Sequence, residues 1–374
     1  MTNPTDRRAR VLDWLEQRLP LSEWFAFFAH FGFVSLPLDT RRPLRELLRD
    51  LDKSVVPDAV RGPQIMATLT GLLFAFEALT GILLAFHYRP TPEAAHESTI
   101  AIVRDIPVGG LIHQLHAWGA FALVLVVVLR LVRLFWDGLW KAPREVLWVS
   151  AVALVWLSLQ FTFTGRLLPW DVDGYWSTVR GLEVVYALPI VGPVLSFLLG
   201  GQVVGEDVLT RFYVLHVVVL PLAWVTTLYA TFATLRRVGF GTTTLQVPSR
   251  RETTFRQHRY DLVFVGLYLF ATLVTLATLL PFGVRAIADP YATPVGARPP
   301  WYMGAVFVVQ EHVPFGGGVV GLILLALALG VLTLPWWAPR VSDRFPEARL
   351  RLAGLVTIAV WLALSLVALL VDRV

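Results

Sequence analysis

The chain has 374 residues, 56% of them hydrophobic, with 14 Trp, 23 Phe and a mean hydropathy of +0.64. Only 16% are charged, against roughly a quarter in an ordinary soluble domain, so neither a water-soluble fold nor a disordered chain accounts for the composition. There is no cysteine, which excludes disulfide stapling, iron–sulfur clusters, thiolate zinc sites and thioether-linked haem.

The first 62 residues mix charge with apolar runs such as Trp24-Phe25-Ala26-Phe27-Phe28. Residues 7–58 are expected to lie as an amphipathic segment on one membrane face. They lack the pattern of a cleavable signal peptide. A membrane span needs about 20 mainly apolar residues. Seven stretches qualify: Pro63–His87, Leu111–Trp136, Val146–Leu168, Phe212–Leu235, Tyr260–Phe282, Gly316–Trp336 and Leu350–Val371. The fold class is therefore all-α integral membrane, with seven transmembrane helices. A Thr-rich stretch, Thr242–Pro248, reads as a linker between four spans and three. The implied units are 1–62, 63–240, 241–259 and 260–374. The connection Pro169–Arg211 is long for a bundle and is expected to be functional or partly helical.

The basic residues set the orientation. The N-terminal segment carries 10 Lys and Arg, and the connections after the second, fourth and sixth spans carry 4, 6 and 4, so one side holds 24 of the 32. The positive-inside rule then places the N-terminus inside and the C-terminus outside. The positive net charge of +5 reflects this bias and contact with anionic lipid, with no nucleic-acid role.

Two histidines lie within spans away from their ends. His116 is the sixth residue of the second span and His216 the fifth of the fourth. Both spans start from the outside, so at 1.5 Å per residue both histidines lie roughly 6–8 Å below the outer boundary. Two imidazoles at equal depth on parallel helices can supply both axial ligands of one iron. The competing reading of each is a hydrogen-bonded contact between helices or a proton relay. Gly81 and Gly165 match this depth on the first and third spans, where close approach by a flat macrocycle, or simple helix packing, would call for them. Glu77 stands mid-membrane in the first span, either as a proton relay or as a hydrogen-bonded interhelical group.

Several motifs fall in a familiar order. They are His116-Ala117-Trp118-Gly119, Leu167-Leu168-Pro169-Trp170-Asp171, Leu209-Thr210-Arg211-Phe212-Tyr213 before His216, and Pro299-Pro300-Trp301-Tyr302. Together they resemble cytochrome b of bc-type complexes, in its chloroplast-like form, over roughly Leu12–Val371. The resemblance implies a four-helix haem-binding bundle followed by a three-helix half. It implies haem b held by His116 and His216, quinol as substrate, a Rieske-type iron–sulfur protein or cytochrome c on the outer face, a possible homodimer, and a place in the cytoplasmic (inner) membrane.

Three departures stand out. The family's inner haem would need histidines at position 130 and at 230 or 231, where this chain has Arg130, Ala230 and Thr231; the matching inner glycines are Ala67 and Ala151. Only one haem is expected, with Arg130 snorkelling to the inner face. The family's quinol-site Glu is Pro300, which leaves Pro299, Trp301, Tyr302 and Trp176 as quinol-site candidates. Glu311, His312, Glu183 and Asp173 are the candidate replacement bases. The family's Arg three residues before the first ligand is His113, still able to donate to a propionate. With no inner haem, a full quinol cycle is not expected. The alternative from another class is a non-catalytic anchor or scaffold derived from cytochrome b. A transporter lacks support, because no inverted repeat is visible.

Overall fold

The computed structural model describes residues 43–53, 55–238, 252–292, 300–312, 316–341 and 346–371, with scattered positions between 11 and 25. Most of the amphipathic N-terminal segment, the linker Thr242–Pro248, and Pro299 lie outside the described residues. In chain order the elements are α1 (Leu44–Lys53), β1 (Val55–Pro57), α2 (Asp58–Ala85), α3 (Pro92–Arg104), α4 (Gly109–Trp136), α5 (Glu145–Leu167), α6 (Val172–Tyr186) and α7 (Val191–Leu199). They continue with α8 (Glu206–Val214), α9 (Leu220–Val238), β2 (Glu252–Thr254), α10 (Phe255–Leu279), α11 (Gly304–His312), α12 (Gly316–Leu332), α13 (Leu334–Val341) and α14 (Glu347–Val371).

This is a multi-pass membrane protein. Six helices are long and apolar enough to cross a bilayer, and the pair α12–α13 makes a seventh, broken span bent by 78°. In α14, Leu355, Val356, Ile358, Val360, Leu362 and Leu366 are exposed, because lipid rather than protein covers them. The helices α2, α4, α5 and α8–α9 pack as a bundle, and α10 lies against α2 and α4. Helix α11 packs on α14 and α12. The antiparallel pair β1–β2, unforeseen in the sequence, ties the start of α2 to the start of α10.

Two proline effects reshape the expected spans. The sixth expected span, Gly316–Trp336, breaks at Thr333. Pro335 has no N–H to offer the carbonyl of Val331, and its ring crowds that carbonyl. The indole of Trp148 on α5 donates to the Val331 carbonyl instead, at 2.7 Å, and Trp337 donates to Gly330 at 2.8 Å. The fourth span carries a π-helical turn, Leu215–Val219, between α8 and α9. Pro221 follows it and removes another intrahelical donor. The extra residue in this turn rotates everything after it, so Thr231 is fully buried while Ala230 is half-buried.

The end of the bundle bearing α6–α8 is closed by a strained turn. Trp170 sits at φ +49°, left-handed for a bulky residue. Its neighbours hold it there. Asp171 accepts from Gly174 N at 2.8 Å, capping α6, and from Arg285 N at 3.2 Å. Backbone bonds from Val172 to Ala286 and from Ala288 to Trp170, both 3.0 Å, stitch the turn to the segment after α10.

The Trp148 bond supports the bend of α12–α13. Trp148→Phe leaves the Val331 carbonyl without its donor and should cost about 1–3 kcal/mol. A clearly lowered melting temperature of the detergent-solubilised protein is the expected reading.

Candidate functional site

The bundle brings together two histidines that are 100 residues apart in sequence. The rings of His116 on α4 and His216 on the π turn have centroids 6.3 Å apart, at 76° to one another. That separation is close to what two imidazoles on opposite sides of one metal leave, given metal–nitrogen bonds of about 2.0–2.1 Å.

Each imidazole is held in the same way. Thr80 donates its hydroxyl proton to the Phe76 carbonyl at 2.9 Å, and its oxygen lies 2.9 Å from His116 Nδ1. Thr164 donates to Gln160 O at 2.8 Å and lies 3.0 Å from His216 Nδ1. A hydroxyl that spends its one proton on a backbone carbonyl can only accept from the ring. This assigns the ring proton to Nδ1 and leaves the Nε2 lone pair available in both histidines. The residue after each threonine is glycine, for a steric reason. A Cβ at Gly81 would stand 3.2 Å from His116 Cε1, and one at Gly165 would stand 2.7 Å from His216 Cε1. The imidazole edges lie where side chains would otherwise be.

This donor set suits a porphyrin iron taken from both faces. Among the described residues no group of three or more His, Asp or Glu could hold a metal ion, so a zinc-type site has no counterpart here.

At the opposite end of the bundle the fit fails. Ala67, Ala151, Arg130 and Thr231 are 4%, 3%, 7% and 0% exposed, and none is an iron ligand. Arg130 does not snorkel as expected. It stays inside the bundle, its Nη1 buried and without a hydrogen-bond partner among the described residues. The small residues at its level leave room for it. Between the two levels Trp224 is fully buried, stacks on Phe74 at 4.0 Å and donates to Ser158 at 3.2 Å. Protein side chains thus occupy the middle of the bundle.

The C-terminal half docks beside His116. Gln114, two residues before it, exchanges two 2.7 Å hydrogen bonds with the backbone of Phe282. Trp118, two residues after it, donates to Leu280 O at 3.0 Å. Tyr302 is buried near Phe121, with ring centroids 6.4 Å apart. Burial pushes its hydroxyl up to about 12, against a hydrogen bond with Thr162 and the charge of Arg166, so it stays a neutral donor.

The remaining candidates separate. Glu311 is exposed and paired with Arg180 at 2.9 Å; Glu183 is exposed and accepts from Gln310 at 3.2 Å. His312 is exposed, with Nδ1 on its own helix at Val308 O, 2.8 Å. Asp173 is buried, 3.8 Å from Arg166 and 3.6 Å from Arg285. His113 Nδ1 and Trp176 Nε1 are buried and without partners among the described residues. The side chain of Trp301 is not among the described ones. Glu77 reaches His116. The threonines were missed in the sequence, although the repeated Thr-Gly pairs, Thr80-Gly81 and Thr164-Gly165, were there to be read.

A multi-pass bundle with two imidazoles 6.3 Å apart suits a membrane cytochrome of the bis-histidine class. A family model described as "Cytochrome b/b6/petB" matches residues 52–239. Cytochrome b6 of Heliomicrobium gestii is 43% identical over 172 residues, covering 46% of this chain and 81% of that protein. Cytochrome b6 of Heliobacterium modesticaldum is 38% identical over 205 residues, covering 54% and 96%. The cytochrome bc complex cytochrome b subunit of Chlorobaculum thiosulfatiphilum is 32% identical over 298 residues, covering 76% and 68%. A chain of a hyperthermophilic respiratory Complex III shares the fold at a TM-score of 0.68 and 19% identity, covering 97% of this chain and 98% of that one. The chain belongs to the cytochrome b/b6 family, whose members bind haem b.

The two glycines differ in tolerance. Gly165→Ala meets His216 at a distance real Cβ atoms do not adopt, whereas Gly81→Ala needs a shift of only a few tenths of an ångström. Haem content of purified protein, read from the Soret-to-protein absorbance ratio, should fall severely in Gly165→Ala and mildly in Gly81→Ala.

Proposed function

We propose that this chain is the haem b electron-transfer subunit of a bc-type, quinol-oxidising membrane complex, carrying one haem between His116 and His216 near the outer face. The observation that carries this reading is the pair of imidazoles 6.3 Å apart, each with its proton turned away to a threonine. The haem half spans 63–240 and the docking half 260–374, with the N-terminus inside the cytoplasmic membrane and the C-terminus outside.

Bound between the imidazoles, haem would supply a one-electron carrier suited to electron transfer rather than oxygen binding. His116 and His216 hold it by Nε2; Thr80 and Thr164 fix the ring planes; Gly81 and Gly165 admit the ring edges. The Phe161 ring stands edge-on to His216, with centroids 5.5 Å apart. The stitched turn at Trp170–Asp171 and the clamp at Gln114 join the C-terminal half to the haem helix. Tyr302, His113 and Trp176 supply buried polar atoms on the same side, where quinol and an iron–sulfur or cytochrome c partner would be met. Arg130 and the packed opposite end deny electrons a second stepping-stone, so traffic is confined to one side and a full quinol cycle is not run.

The test is reduction of the haem by a short-chain quinol in native membranes. Prompt reduction, absent in His116→Ala and His216→Ala because those variants bind no haem, is expected. A haem that binds but accepts no electron from any quinol in intact membranes would leave the chain a scaffold.

A further inference from the structure

We propose that Glu77 is a positioning residue for the haem: its side chain accepts a hydrogen bond from Nδ1–H of His116 and thereby sets the potential at which the iron takes up an electron. This rests on His116 being an axial ligand, as proposed above. Glu77 Oε2 lies 3.1 Å from His116 Nδ1, on the same nitrogen that Thr80 approaches at 2.9 Å. Glu77 is 9% exposed and has a single polar neighbour at its tip, since Oε1 is buried with no hydrogen-bond partner among the described residues.

The placement is built by both helices. Glu77 precedes Thr80 by three residues on α2, so both point at one imidazole. On α4, Gly119 leaves the space the carboxyl group occupies: a Cβ there would run into Glu77 Oε1. His216 has no such partner. The residue three before Thr164 is Phe161, whose ring stands edge-on to His216 with centroids 5.5 Å apart. A carboxyl oxygen therefore stands beside Nδ1 of His116, and an aromatic ring takes the matching place at His216. An acceptor at the far nitrogen makes an imidazole more basic and the ferric iron it binds more stable. A carboxyl group keeps an accepting oxygen in either protonation form.

The experiment is a redox titration of the purified, haem-loaded protein, with the ferric low-spin g-values recorded on the same samples. Glu77→Ala should bind haem with a six-coordinate spectrum and favour ferrous iron about tenfold more, an upward shift of about 59 mV for one electron. Its g-values should move as well, because they respond to the basicity of the imidazole. Glu77→Gln keeps a weaker acceptor and should fall between. Gly119→Ala, which displaces the carboxyl group, should shift the same way. A wild-type potential in Glu77→Ala, or a shift without any change in g-values, would overturn the proposal. If Glu77→Ala does not retain haem, Glu77→Gln carries the test: an upward shift supports the role and a wild-type potential overturns it. Haem retained in His116→Ala would instead refute the ligand reading on which this proposal stands.

Discussion

Everything about this site depends on where two protons sit. A histidine can bind iron only through a nitrogen with a free lone pair, and its hydrogen-bonding neighbours decide which nitrogen that is. Thr80 and Thr164 choose. Each satisfies a backbone carbonyl one turn back, so each can only receive from Nδ1. Each histidine thus has a hydroxyl at Nδ1 and a glycine against its Cε1 edge. The π turn at Leu215–Val219 presents His216 on this face, in line with the habit of π-bulges to occur at functional positions.

The same chain treats its two ends differently. One end has threonine hydroxyls at both histidine rings; the other has Ala67, Ala151, Thr231 and an inward-held Arg130. A guanidinium kept at this depth costs free energy. Between the ends, Trp224 and Phe74 stack. The C-terminal half attaches at the histidine-bearing end through Gln114, Trp118 and Asp171.

Much of this was legible in the residues. The apolar runs marked the spans, and equal depth on parallel helices singled out His116 and His216. The motifs pointed to the cytochrome b family. What escaped was local. Pro335 sits near the end of a run that reads as continuously apolar, and only the neighbouring Trp148 reveals how the freed Val331 carbonyl is satisfied. Pro221 hid the π turn, so the choice between Ala230 and Thr231 stayed open until the helix was seen to gain a residue. Glu77 read as a lone mid-membrane carboxylate because its partner, His116, is 39 positions away and only helix packing joins them. Glu311 and His312 looked available as bases, but an ion pair and a self-helix bond account for them.

The central claim is that the bundle offers one haem site and not two. Pyridine haemochrome analysis of the purified chain, against protein quantified by amino-acid analysis, counts the sites directly. One haem b per chain is the predicted value, falling to none in His216→Ala. Two haems per chain, or one that survives loss of His216, would contradict it.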